Sequence, residues 1–331
     1  MTAEAAGRLC GRVVGGRYRL GILLARGAAG VVYEAEDLEG GEAVAVKLLL
    51  SRDEGARLRL LREAEAITAV AHPCIPRVHG AGTLDGHIPY LVLDRFRGET
   101  LGAYLRREGA AEARRLLALL LRGAEALGVV HGAGIVHRDV KPDNLFLLGP
   151  VGAPTDLRVL DFGLSRGATR LTEPGIAVGT AEYMAPEQVV TDPVDGRTDL
   201  YALGVVLFRA LSGRLPFEDR DKLRLMARQL LEPSPPLVFA LPCPAPLAAP
   251  LAGLVAGLLR KDPDSRLPSM NDLASRLRSL LCGGPALDLP PVLRMDYQPR
   301  SSFARRVLGG FRRRLGYPVL GQSGDEDDEE G

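Results

Sequence analysis

The hydrophobic pattern of this chain changes character once, close to residue 97, and that change limits the folds open to it. Before it, short apolar runs bounded by glycine and charged residues recur at 19–24, 30–36, 43–49, 77–81 and 90–93. Runs of that length, several of them β-branched, predict strands. One longer segment, 54–70, predicts a helix that stops before the turn at His72-Pro73. Beyond residue 97 the apolar spacing lengthens, and 116–131, 199–211, 248–259 and 273–281 predict helices. Seven prolines between Pro233 and Pro250 predict an extended connection among them. A β-rich first quarter followed by a helical remainder is an α+β layout in two lobes.

Composition narrows the functional classes. With 46% hydrophobic and 25% charged residues, 331 residues can bury a sizeable core. The balance of 42 basic against 41 acidic residues gives no net attraction for nucleic acid, and 5% aromatics leaves few stacking platforms. No nucleic-acid partner is therefore expected. No stretch approaches 18 uncharged apolar residues, so no transmembrane segment is expected either. Four cysteines lie far apart without a C-x-x-C pair, which fits a cytoplasmic protein better than a zinc site or a disulfide framework. Residues 1–16, rich in Ala, Gly and Arg, read as a flexible leader. Residues 282–331 read as a low-order tail with an arginine cluster and an acidic end.

The chemistry concentrates in His137-Arg138-Asp139-Val140-Lys141-Pro142-Asp143-Asn144. Asp161-Phe162-Gly163 follows 22 positions after Asp139, and Ala185-Pro186-Glu187 comes later. Upstream, Val44-Ala45-Val46-Lys47 ends a predicted strand, with Gly27 and Gly30 in the strand-to-strand turn before it. In this order and spacing the segments resemble the signature set of eukaryotic-like (Hanks-type) bacterial serine/threonine protein kinases. The resemblance covers residues 18–281 and implies the bilobal protein-kinase fold. It divides a kinase domain at 17–281 into an N-lobe at 17–96 and a C-lobe at 97–281.

By that resemblance the chain uses ATP and Mg²⁺ to phosphorylate Ser/Thr hydroxyls of protein substrates. Phosphoryl transfer is chiefly positioning and charge stabilisation, so the site needs cations and backbone donors around the phosphates. Asp139 is implied as the catalytic carboxylate that takes or orients the substrate hydroxyl proton. Lys141 is implied to neutralise the transferring group, a lysine that Ser/Thr kinases carry and tyrosine kinases do not. Lys47 is implied to grip the α/β-phosphates. Its implied partner is a glutamate on the 54–70 helix. Glu65 points about 200° from Glu63, and the nine-residue distance from Glu63 to His72-Pro73 resembles the family's register, which selects Glu63. Asn144 and Asp161 are implied as Mg²⁺ ligands. Leu24, Gly27, Gly30, Val32, Ala45, Lys47, Asp94, Phe96 and Phe146 are implied to bind the nucleotide, Asp94 and Phe96 through their backbone. Arg95 and Arg97 are expected to face solvent. Ala25 replaces the first glycine of the family's loop, which would weaken nucleotide binding if that position needed a glycine-only conformation.

Regulation is implied on the segment 161–187. Thr172, with Thr169 next, is expected to be autophosphorylated, and the phosphate to dock on Arg138. Ser165 and Thr180 are the other candidates. Glu187 is expected to pair with Arg266, and Asp199 to hold the catalytic-loop backbone. The tail interleaves six arginines between Arg300 and Arg314 with Phe303, Val307, Phe311 and Leu315, a basic amphipathic pattern compatible with a membrane surface or a partner groove. The acidic run Asp325–Glu330 is able to fold back on it, and a cytosolic regulator acting through this tail is one expectation. Two other functions share the fold: a non-catalytic pseudokinase, favoured only by Ala25, and a small-molecule phosphotransferase, disfavoured by 179–187 and Arg266.

Overall fold

Alternation at period two builds the first lobe. In the computed structural model, which describes residues 9–27, 30–49, 68, 70–86, 88–162 and 181–283, six strands form one antiparallel sheet. They are β1 Val13–Val14, β2 Tyr18–Arg26, β3 Gly30–Asp37, β4 Ala43–Leu49, β5 Val78–Leu84 and β6 Ile88–Asp94, in the order β1-β2-β3-β4-β6-β5. Val31, Tyr33 and Ala35 of β3 and Val44, Val46 and Leu48 of β4 point into one core. The helix expected at 54–70 lies almost wholly outside the described residues.

Residues 9–16 correct the expectation of a leader extending to residue 16. Val13 and Val14 pair with Arg19 and Tyr18 of β2, and Val14 is fully buried in the N-lobe core. Gly11 donates its N–H to the Leu20 carbonyl. Two β-branched residues outweigh the loose composition around them.

The second lobe begins with β7 Gly98–Thr100, which joins β8 Leu145–Leu148 and β9 Asp156–Val159 in a three-stranded sheet. Its helices are α1 Leu101–Glu108, α2 Ala113–Gly132, α3 Pro186–Val189, α4 Gly196–Ser212, α5 Lys222–Leu231, α6 Ala245–Leu258 and α7 Met270–Leu281. Five of them start at polar caps: Thr100, Glu112, Asp195, Asp221 and Ser269 each accept backbone N–H bonds of the first turn. One large core, which takes in Val140 of the 137–144 segment, is built mainly from α2, α4, α6, α7 and the small sheet. The proline-rich connection is shorter than expected, because α6 starts at Ala245 and contains Pro250. Pro246 sits in the first turn, where a missing N–H leaves no helical bond unmade.

Lys261 is a fully buried lysine in this lobe. Its Nζ lies 3.4 Å from the Tyr201 hydroxyl and 3.9 Å from the Phe217 ring centroid. Burial, aided by the charge of Arg266, pushes its pKa well below the ordinary lysine value. Below about pH 10 the unfolded chain then binds a proton that the native state gives up. Lys261 therefore lowers stability as pH falls from there to the folded pKa, and the loss persists below it. Lys261→Met is expected to stabilise the fold by about 1 kcal/mol at neutral pH. Thermal melts should show Tm higher by about 2–4 °C, and a gain that shrinks toward pH 11.

Candidate active site

The register of β3 and β4 decides which side chains line the cleft between the lobes. With Val31, Tyr33 and Ala35 in the core, the other sheet face carries Val32 and Glu34 from β3 and Ala45 and Lys47 from β4. Val32 lies directly across the ladder from Lys47, and Glu34 from Ala45. Leu24, on β2 beside a register shift between Leu23 and Ala25, is half-buried like Val32 and Ala45. From the second lobe, Phe146 alternates with the buried Leu145 and Leu147, and its ring lies 6.4 Å from that of Phe96.

The glycine loop divides into two requirements. A Cβ on Gly30 would collide with the Leu48 carbonyl, so the close approach of β3 to β4 demands glycine there. Gly27 has open space at its α-carbon, and its N–H donates to the Gly30 carbonyl at 2.9 Å. Ala25 pairs with Val32 in the ladder and is absent from the four described non-glycine residues with positive φ. Alanine therefore carries no glycine-only strain at that position.

The connector between the lobes differs in part from expectation. The Asp94 carboxylate accepts the Arg77 N–H at 2.9 Å and pairs with His79 Nε2 at 2.8 Å. It is turned toward β5, so only the backbone of Asp94 remains for a base. Arg95 does not face solvent: its side chain is 21% exposed and its Nε lies 3.8 Å from Glu34. The neighbouring carboxylate of Glu34 draws it back against the sheet. Arg97 is exposed as expected.

The polar segment 137–144 is suspended from a single buried carboxylate. Asp199, on the first turn of α4, accepts the N–H groups of His137 and Arg138, both at 2.8 Å. It also binds His131 Nε2 at 2.8 Å. These charge-assisted bonds hold Arg138 at φ 64°, a conformation costly for a non-glycine residue. His137 Nδ1 accepts the Asp139 N–H, which leaves Nε2 to donate to the Leu160 carbonyl at 2.9 Å. Its ring packs on Phe162 at 4.7 Å between centroids.

This suspension brings the expected carboxylates and cations together. Asp139 Oδ2 accepts from Lys141 Nζ at 2.9 Å and from Asn144 Nδ2 at 3.1 Å. Asn144 Nδ2 also donates to the Asp139 carbonyl at 2.7 Å. Leu160 donates its N–H to the Asn144 carbonyl, which places Asp161 one residue further along. Asp161, with φ 53°, binds Lys47 Nζ at 2.8 Å and so joins the two lobes. Burial acts to raise the Asp161 carboxyl, but Lys47 and, less strongly, His137 and Lys141 hold it below the usual carboxylate range. It is ionised at neutral pH.

The donor set fits Mg²⁺ held with phosphate. Both Asn144 amide hydrogens are committed to Asp139, which leaves the amide oxygen as the ligand end. One carboxylate and one amide oxygen suit a cation that keeps waters and substrate phosphates in its shell. Among the described residues no group of three or more His, Cys, Asp or Glu forms an all-protein cage. Glu63, Gly163, Ser165, Thr169, Thr172 and Thr180 lie outside the described residues.

Nothing in the sequence pattern singles out Gln188, yet it bridges two parts of the site. Its Nε2 donates to the Arg138 carbonyl at 3.0 Å, and its Oε1 accepts the Ala185 N–H at 3.1 Å. Below it, Glu187 and Arg266 form the expected pair at 2.7 and 2.9 Å, fully buried. A groove of 710 Å³ opens beside Pro142 and Asp143, walled on its far side by Glu182, Tyr183 and Leu225.

Comparison with known proteins points to one family. The family described as "Protein kinase domain" matches residues 18–276. Serine/threonine-protein kinase PknA of Mycobacterium tuberculosis is 39% identical over 241 residues, 70% of this chain and 55% of PknA. Serine/threonine-protein kinase Pkn1 of Myxococcus xanthus is 41% identical over 228 residues, 67% of this chain and 32% of Pkn1. The chain thus spans about half the length of PknA or less of such relatives. Among solved structures, the Mycobacterium tuberculosis PknI kinase domain superposes with a TM-score of 0.63 at 27% identity, covering 82% of this chain and 98% of that one.

Proposed function

Because the chain belongs to the protein kinase domain family, we propose that it transfers the ATP γ-phosphoryl group to Ser/Thr hydroxyls of proteins. The observation that carries this reading is the convergence of Asp139, Lys141 and Asn144 on one side and Lys47 with Asp161 on the other. Asp139 orients the acceptor hydroxyl and takes its proton as the new O–P bond forms. Its Oδ2 is fixed by two donors, so the carboxylate needs no reorganisation during transfer. Lys141 sets a positive charge beside that carboxylate, where charge develops on the transferred group. Lys47 reaches the phosphates from the sheet face that carries Val32 and Ala45. Mg²⁺ on Asn144 and Asp161 supplies neutralisation of phosphate charge when bound. The base packs between Leu24, Val32 and Ala45 above and Phe146 below, against the backbone of Asp94 and Phe96.

Two further features support a regulated protein kinase. The buried Nε of Arg138 has no hydrogen-bond partner among the described residues, which suits a phosphate arriving from Thr172 or Thr169. The pseudokinase alternative loses its support, because Ala25 sits in an ordinary strand conformation. ATP as substrate and four free thiols favour a cytoplasmic site of action. Among the described residues no helix is long and apolar enough to cross a membrane. A cytosolic regulator acting through 282–331 remains part of this reading, on the charge pattern of that segment.

Purified protein incubated with Mg²⁺, γ-labelled ATP and myelin basic protein is expected to label itself or the added protein. Asp161→Asn, which removes the only carboxylate of the cation pair, should lose the label. Equal label on the variant, or none on the wild type, overturns the assignment.

A further inference from the structure

The peptide-side wall of the active site hangs on one buried amide. Gln229, on α5, is completely buried, and its Nε2 donates to the Ala181 carbonyl at 2.7 Å and the Glu182 carbonyl at 2.9 Å. Both amide hydrogens are thereby spent on consecutive backbone oxygens of the segment leading to Ala185-Pro186-Glu187. Those two acceptors fix which end of the amide is nitrogen, since the reverse orientation would set oxygen against oxygen. The cost is visible: Gln229 Oε1 is buried with no partner among the described residues. An apolar side chain at 229 would avoid that cost but abandon two buried carbonyls.

The surroundings show what the amide holds. Ala181, Met184, Val189 and Val190 pack with Phe217, Leu225, Met226 and Leu230 in a cluster separate from the main core of the lobe. The segment and α5 therefore form one small unit with Gln229 as its polar centre. Glu182 and Tyr183, one of them held directly by the amide, wall the 710 Å³ groove beside Pro142 and Asp143. At the other end of the unit, Gln188 reaches the Arg138 carbonyl, next to Asp139.

We infer that Gln229 is a positioning residue for the protein substrate: it holds Glu182 and Tyr183 where the acceptor peptide lies, without touching ATP or the transferred group. The inference rests on the kinase reading for its substrate, while its structural half stands independently. Nothing in Gln229's contacts reaches Lys47, Asp161 or the nucleotide face. Its loss should therefore weaken use of protein substrate and leave nucleotide handling alone.

Gln229→Met, which keeps length and burial but cannot donate, separates these roles. KM for myelin basic protein is expected to rise roughly tenfold, the effect of two lost hydrogen bonds partly recovered by water. KM for ATP and the slow hydrolysis of ATP without protein substrate should stay at wild-type values. Amide exchange should accelerate over 181–190 and α5 only. Gln229→Glu, isosteric but with no donor when ionised and only one when protonated, should show the same localised exchange. Unchanged exchange over 181–190 overturns the inference whatever the activity. So does acceleration spread through the whole C-lobe, or a parallel rise in KM for ATP. A wild type without phosphotransfer would count against the kinase reading, with the exchange contrast still deciding what Gln229 holds.

Discussion

Arg266→Leu is expected to cost about 3–5 kcal/mol of stability. The guanidinium spends all five of its N–H donors inside the fold. Nε donates to the Arg260 carbonyl, Nη1 to Glu187 Oε1 and the Arg197 carbonyl, and Nη2 to Glu187 Oε2 and the Lys261 carbonyl. Neither side chain of the ion pair is more than 3% exposed, so salt and water do little to screen it. Leucine would strand a buried carboxylate and three carbonyl groups at once. Glu187 would keep only the Thr198 hydroxyl at 2.8 Å. Total stabilities of single domains are about 5–15 kcal/mol, so the variant should stand close to unfolding. Arg266→Lys should be nearly as damaging, because an ammonium cannot serve a fork of five acceptors. Glu187→Gln should be milder, since it retains one oxygen as acceptor. Urea titrations followed by circular dichroism give the order: midpoints should fall as wild type, Glu187→Gln, Arg266→Lys, Arg266→Leu. A midpoint for Arg266→Leu within 0.5 M of wild type, on the order of 1 kcal/mol, would show that the pair does not anchor this lobe.

The elements legible in the sequence are those whose pattern is local. β3 and β4 are short apolar runs bounded by glycine and charged residues, and their observed limits, Gly30–Asp37 and Ala43–Leu49, match the expected runs within one residue. The buried faces of α2, α4 and α7 likewise announce themselves by spacing. β1 was hidden because two residues make no period, and only pairing with Tyr18 and Arg19 reveals it. α5 was legible in principle. Asp221 accepts the N–H groups of Leu223 and Arg224, and a polar cap before Leu223, Leu225, Met226 and Leu230 is a helix start.

The site shows the same division. Asp139, Lys141, Asn144 and Asp161 are fixed by short segments, so their identity could be read before any fold was known. What those segments cannot show is orientation. The Asp94 carboxylate turns to His79 and Arg95 turns to Glu34, because their partners come from β5 and β3, far away in sequence. Gln188 and Gln229 are missed for a related reason. A glutamine acquires meaning only from the carbonyls it meets, and those lie 50, 48 and 47 residues away.

Asp139→Asn should leave the fold and nucleotide binding intact and reduce phosphotransfer by roughly 10²–10⁴-fold. The reasoning separates what the carboxylate does for structure from what it does for chemistry. Its structural partners are donors, Lys141 Nζ and Asn144 Nδ2, both directed at Oδ2. The asparagine amide still offers one oxygen to them, and the bond from the Asn144 side-chain amide goes to the backbone carbonyl of residue 139, which the substitution leaves in place. The loop also remains suspended from Asp199 through His137 and Arg138. What disappears is the ability to take a proton from the acceptor hydroxyl, since an amide oxygen is not a useful base at neutral pH. The loss should therefore fall on kcat, with KM for ATP and for protein substrate near wild-type values, and with Tm unchanged. Lys47→Met makes the contrast: it removes the cation that holds Asp161 at 2.8 Å, so its defect should extend to nucleotide binding. Should Asp139→Asn retain transfer within a few-fold of wild type, the proton would have another acceptor, and the role given to Asp139 would fall.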